Sequence, residues 1–263
     1  MMDSMKQNNL IINGNGTSSG GEYHKVSING KGTIHGDVVC DKFVANGVTE
    51  MKGDLEVKDS SVSGEVDLEG NLQGEKAVIR GQMGIQGDIN LSNLKVQGRA
   101  AIHGNAYAKD VKVEGMMEVK KNITGNIVKV LGSLSVKGDC EVEHFYSKGA
   151  VTVQGLLNAE TVEIFLYGKN KVKEIGGQKV EVKKTELSWK ILKMIESLFR
   201  LSIQRMLQVD VVEGDTVYLE HTKAKVVRGK NVTLGPGCEI ELVEYQDSFE
   251  KDPKASVKEE ICV

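Results

Sequence analysis

Asp37 and Asp54 stand seventeen residues apart, and each follows a glycine, in Gly36-Asp37 and Gly53-Asp54. If the two stretches were neighbouring strands, the carboxylates would sit about 5 Å apart, the spacing at which a retaining glycosidase sets its nucleophile and its acid. His35 and His103 each precede a glycine of the same kind and invite a metal ion instead. They lie four such intervals apart, about 19 Å at strand spacing, whereas metal ligands sit at about 2 Å. Cys40, Cys140, Cys238 and Cys262 are far apart with no Cys-x-x-Cys pair, which indicates neither a zinc site nor a disulfide framework. The GGxGxDxUx calcium repeat of secreted β-rolls is missing, and no Gly-rich phosphate loop or Ser/His/Asp set stands out.

Each candidate belongs to a longer pattern. Glycine recurs every seventeen residues at Gly30, Gly47, Gly64, Gly81, Gly98, Gly115, Gly132 and Gly149. A second column holds Gly36, Gly53, Gly70, Gly87, Gly104, Gly138 and Gly155, broken only by Lys121. The residues after that column read Asp37, Asp54, Asn71, Asp88, Asn105, Asn122 and Asp139. Gly-Asp and Gly-Asn are corner chemistry, because glycine accepts positive φ and Asp or Asn bonds nearby backbone. A repeated corner selects this column; a matched acid and nucleophile would not. At 5% aromatic residues, little surface is left for stacking sugar rings. We therefore expect no enzyme, cofactor or metal site.

In each line of seventeen the apolar residues occupy the third, fifth, ninth, eleventh, fourteenth and sixteenth positions. A spacing of two puts both side chains of a pair on one face of a strand, so each line predicts three short strands. A fixed period with one such unit per repeat is a solenoid, and the prediction is an all-β parallel β-helix. The fifth position is apolar throughout, in Ile34, Met51, Leu68, Ile85, Ile102, Val119, Val136 and Val153, and should be buried. Gly74 and Gly125 replace an apolar residue at the eleventh position and predict local thinning of the core.

After Phe165 the pattern weakens, with Val180 and Val182 still strand-like, and residues 23–185 are expected to hold eight to nine turns. LSWKILKMIESLFRLSIQRMLQ, residues 187–208, has no glycine or proline and fits an amphipathic helix inserted at 186–208. Ile191, Leu192, Ile195, Leu198, Phe199 and Met206 share one broad face, Lys190, Lys193, Arg200 and Gln204 mark the other, and Trp189 joins them as a candidate for membrane or partner contact. That composition suits packing on the solenoid, pairing with a second copy, or lying on an anionic membrane surface. Residues 209–245 resume the strand pattern as closing turns. Residues 1–22 and the charged 246–263 are expected as flexible tails.

A formal charge of −3 gives no reason to expect nucleic acid as a partner. The N-terminal residues lack the apolar core of a secretory signal, and Cys262 is not placed for prenylation, so a cytoplasmic protein is expected. The six-then-eleven step between glycines fails the strict hexapeptide frame of left-handed β-helix acyltransferases.

Glycine-punctuated turns of seventeen residues, with stretches such as GDLEV and GDINL and the closing GDTVYLEHTKAKVVRGKNVTLGPGCEIELVEY, resemble the bactofilins, bacterial polymer-forming cytoskeletal proteins. The resemblance covers residues 25–165 and extends to 209–245. It implies a right-handed β-helix that polymerises end to end without nucleotide, with itself or a paralogous bactofilin. It also implies service in cell shape, motility or protein positioning, often at the inner face of the membrane. The exposed ends would then be the first turn, near Val26, Ile28 and Ile34, and a closing turn near Phe165 or Ile240.

Overall fold

A computed structural model of the chain describes residues 8–185 and 205–263. Among these residues all regular structure is β-strand, wound into a parallel β-solenoid of about fourteen turns. The chain divides into two compact units: residues 1–128 with 135–138, and residues 129–134 with 139–263.

In most turns of the first unit a four-residue strand is followed by an eight-residue strand, while after Met116–Val119 the latter stays divided into Ile123–Thr124 and Ile127–Val130. Lys31–Ile34 and Val38–Ala45 make one turn, and Val48–Met51 and Leu55–Val62 the next. They pair in parallel with Ile34 against Met51 and Val38 against Leu55, the seventeen-residue step of the sequence. All six expected inward positions of the first of these turns are buried: Gly32, Ile34, Val38, Cys40, Phe43 and Ala45. Only the count of strands differs. Cys40 and Phe43 are both inward yet three residues apart, so the chain turns between them, and Asp41 alone drops out of the register. The second and third expected strands therefore join into one in such turns. Each buried Val, Ile, Leu or Phe side chain contributes about 1.5–3 kcal/mol, and the ladders repeat that gain turn after turn.

The glycine columns have a different cause from the one expected. Among the second-column glycines only Gly36 has a left-handed φ, at 121°. Elsewhere the backbones of successive turns come too close for a side chain. A Cβ on Gly64 would lie 2.0 Å from the carbonyl oxygen of Gly47, and one on Gly70 would lie 2.4 Å from that of Gly53. Gly74 and Gly125 follow the same rule, with a Cβ 1.7 Å from Val57 O and 1.8 Å from Ala108 O. They mark close strand approach, and each also leaves its inward position without the apolar side chain that neighbouring turns place there.

In the second unit a whole turn is one long bent strand. Ala150–Leu166, Asn170–Lys184, Leu207–Leu219, Thr222–Leu234 and Glu239–Lys251 stack in order, with Ser256–Cys262 last. The weak pattern after Phe165 is a full turn, since Ile164 pairs with Val182 and Val162 with Val180. The step shortens to fifteen residues where Val209 pairs with Ala224 and Val217 with Val232, then returns to seventeen where Ile240 pairs with Val257.

Three expected boundaries change. Asn9–Ile12 and Asn15–Ser18 are strands, so residues 1–22 are not wholly a tail. Residues 246–263 are not a tail either, because the strands Glu239–Lys251 and Ser256–Cys262 occupy most of them. Backbone pairing to the preceding turn holds them in place despite their poor apolar content. The expected helix at 186–208 lies outside the described residues except at its end, where Leu207 and Gln208 begin a strand.

Candidate self-association surface

The repeated Asp and Asn residues form a ladder along one corner of the first unit. Asp37 Oδ1 accepts from Asp54 N–H at 2.8 Å, and Asp54 Oδ1 accepts from Asn71 N–H at 2.7 Å. Asn71 Oδ1 accepts from Asp88 N–H at 2.8 Å, and Asp88 Oδ1 from Asn105 N–H at 2.6 Å. The second unit repeats the device where Leu156 N–H donates to Asp139 Oδ1 at 2.8 Å. A backbone N–H left unpaired at a corner is costly, and the side chain of the preceding turn satisfies it. One oxygen of both Asp37 and Asp54 is thus engaged in turn-to-turn bonding.

A second ladder starts at the first rung, where Asn29 Nδ2 donates to Asn13 Oδ1 and Asn46 Nδ2 to Asn29 Oδ1, both at 2.9 Å. His35 and His103 are exposed, and among the described residues no three His, Cys, Asp or Glu side chains gather as metal ligands. Cys40, Cys140 and Cys238 are buried and Cys262 is exposed. Burial pushes the Cys140 thiol up to about 12 and the Cys238 thiol to about 11, so neither is ionised near neutral pH.

In the second unit a groove of about 880 Å³ runs along the strand starts from Thr152 to Lys258. Six of its charges pair across turns, Lys225 with Asp210 at 2.9 Å, Lys223 with Glu239 at 3.3 Å and Lys258 with Glu241 at 3.1 Å.

The residues expected at the ends lie deeper than the sequence suggested. Val26, Ile28 and Ile34 are fully buried, because an earlier rung covers them: Leu10 pairs with Val26, Ile12 with Ile28 and Ser18 with Ile34. Ile240 is buried beneath Val257. Phe165 is no end residue. It faces outward between turns, in register with Lys183, with its ring 5.5 Å from Tyr146 and Lys148 Nζ 5.0 Å above it. Trp189, Lys190, Ile191, Leu192, Lys193, Ile195, Leu198, Phe199 and Arg200 lie outside the described residues.

The first rung of the first unit instead presents Leu10, Ile12, Gly16, Ser18 and Tyr23 at the inward positions, none of them charged. Leu10 is half-buried, and the neighbouring Ile11 is 57% exposed. Tyr23 Oη donates to Gly20 O at 2.8 Å and shares a hydrogen bond with Ser18 Oγ at 3.3 Å. Asn9–Ile12 and Asn15–Ser18 are each paired on one side only among the described residues. Counting back sixteen residues from Val26 and Ile28 finds Leu10 and Ile12, but a strict step of seventeen passes them by.

Two relatives from Bacillus subtilis strain 168 match the chain, the uncharacterized proteins YhbE and YhbF. YhbE is 41% identical over 107 residues, covering 40% of this chain and 42% of that protein. YhbF is 41% identical over 106 residues, covering 40% of each. The chain thus spans about two fifths of the length of the curated relatives it matches. No protein-family profile matches, and no solved structure does. The parallel β-solenoid is compatible with a structural scaffold. No helix among the described residues is long and apolar enough to cross a membrane.

Proposed function

We propose that the chain is a non-catalytic structural scaffold of the bactofilin type, whose copies assemble end to end without nucleotide. The assemblies build filaments, alone or with a paralogous chain, that support cell shape, motility or protein positioning in the cytoplasm. Residues 187–208 supply a route to the inner face of the membrane or to a partner. The carrying observation is the uncharged first rung, with Leu10 and Ile12 at its inward positions and strand edges that, among the described residues, are paired on one side only.

An open strand edge is a template for another strand, and every turn of this solenoid already pairs with a near-copy of itself. About ten backbone hydrogen bonds at about 1 kcal/mol net each, less the entropy of association, are enough to hold such a contact. The engagement of Asp37 and Asp54 in the corner ladder favours a scaffold over a glycosidase. Negative-stain microscopy of the purified protein without nucleotide tests the reading. It should show particles joined at their ends, and isolated single particles at every concentration would overturn it.

A further inference from the structure

One outward face of the second unit carries aromatic rings and cations in two columns. Lys148 N–H bonds Val130 O, which sets Leu131 beside Lys148, and Lys148 is followed in register by Phe165 and Lys183. In the neighbouring column Tyr146 is in register with Glu163, and Glu163 with Glu181. Leu131 is 40% exposed, and the Tyr146 and Phe165 rings are half-buried. Lys129 Nζ lies 5.2 Å from the Tyr146 ring, and Lys148 Nζ lies 5.5 Å from that ring and 5.0 Å from the ring of Phe165. Glu181 pairs with Lys183, and Glu163 acts on the same ammonium. Lys129 and Lys148 are exposed and make no ion pair among the described residues.

We propose that this face, centred on Tyr146, Lys148 and Phe165, lies against an anionic phospholipid surface, with the axis of the second unit parallel to the bilayer. The inference rests on the reading of residues 187–208 as a route to the membrane and adds a second, folded contact to it. An exposed lysine with no counter-charge is open to an anion from outside the chain, and beside Lys129 and Lys148 stand rings and an aliphatic side chain that water serves poorly. The interface of an anionic bilayer offers both partners at once: phosphates for the ammonium groups, and beneath them a region in which aromatic side chains are enriched. An acidic peptide would also satisfy the lysines, but the course of the chain favours lipid. Lys184 is in register with Leu166, one residue from Phe165, so the chain runs on into residues 186–204 from the edge of this face. Two weak membrane contacts on one chain bind far more tightly than either alone. Both columns step one turn at a time, so a surface that touches Lys129, Tyr146 and Phe165 together follows the stacking direction of the turns.

Co-sedimentation of the full chain with phosphatidylcholine vesicles containing about a quarter phosphatidylserine, at about 0.15 M salt, tests this. Lys129→Gln with Lys148→Gln should weaken binding about 25-fold, about fivefold for each lysine. Lys225→Gln with Lys258→Gln, which removes the same charge from the groove of the same unit, should change it by about twofold or less. Phe165→Ser should weaken it about fivefold and leave its salt dependence unchanged. Circular dichroism checks that each variant keeps its β-signal, and the lysine variant, altered only at exposed side chains, decides the matter if Phe165→Ser fails to fold. A lysine variant that binds as well as the wild type overturns the face and leaves residues 187–208 as the membrane route, and so does a groove variant that loses as much. If the wild type does not bind the vesicles, the face and that route fall together, while end-to-end assembly stands. Binding of polyglutamate in place of vesicles, lost in the lysine variant, would overturn the lipid and assign the face to an acidic protein.

Discussion

Asn71 donates its backbone N–H to Oδ1 of Asp54 at 2.7 Å, and its side-chain Nδ2 reaches the same oxygen at 3.1 Å. The Asp54 side chain acts here as an acceptor for the next turn, and an amide oxygen serves equally well, as Asn71 does for Asp88. Asp54→Asn should leave stability within about 0.5 kcal/mol of the wild type, whereas Asp54→Ala should lose about 1 kcal/mol in urea unfolding.

Gly64 and Gly14 separate steric need from mere repetition. A Cβ at Gly64 meets Gly47 O at 2.0 Å, while one at Gly14 meets nothing within 4 Å. Gly64→Ala should destabilise the chain by about 2–4 kcal/mol, because backbone must move, and Gly14→Ala should change it by about 0.5 kcal/mol or less. Thermal melts of the two variants give the comparison directly.

Thr49 and Ser60 occupy inward positions of the core with hydroxyls that are buried and have no hydrogen-bond partner. Burying an unsatisfied hydroxyl costs about 1–3 kcal/mol, so its removal is favourable where shape is kept. Thr49→Val should raise stability by about 1 kcal/mol in denaturant unfolding, and Ser60→Ala should raise it or leave it unchanged. Losses in both would show that these hydroxyls have partners after all.

Glu114 receives hydrogen bonds from Lys112 at 2.5 Å and Gln97 at 2.9 Å, with Lys95 at 3.2 Å, and these hold its carboxyl down at about 2 from the ordinary 4.5. A depressed carboxyl stabilises the folded state above its unfolded pKa and loses that contribution as pH falls through its folded pKa. Stability should therefore decline between about pH 4.5 and pH 2, and Glu114→Gln should flatten that part of the profile. The group is partly exposed, so solvent screening keeps the effect small. An identical acid profile for the two proteins would contradict the assignment.

Most of the solenoid was legible because its physics is periodic. A spacing of two placed Ile34, Met51 and Leu68 inside, and all three are buried. What escaped was whatever broke the seventeen-residue frame. Leu10 and Ile12 sit sixteen residues before their partners, and Ala224 sits fifteen after Val209. The last turn was misread for another reason: Lys251 and Glu260 fill inward positions with charge, and composition alone makes such a stretch look like a tail. The glycine columns were found, but their cause lies in the distance between turns, which no single line of sequence contains.

Sedimentation velocity on a dilution series of the wild type and Leu10→Lys, without nucleotide, bears most directly on the scaffold reading. The account predicts a sedimentation coefficient that rises with concentration in the wild type and stays at the single-chain value in the variant. A wild-type coefficient that stays at the single-chain value across the series would contradict it.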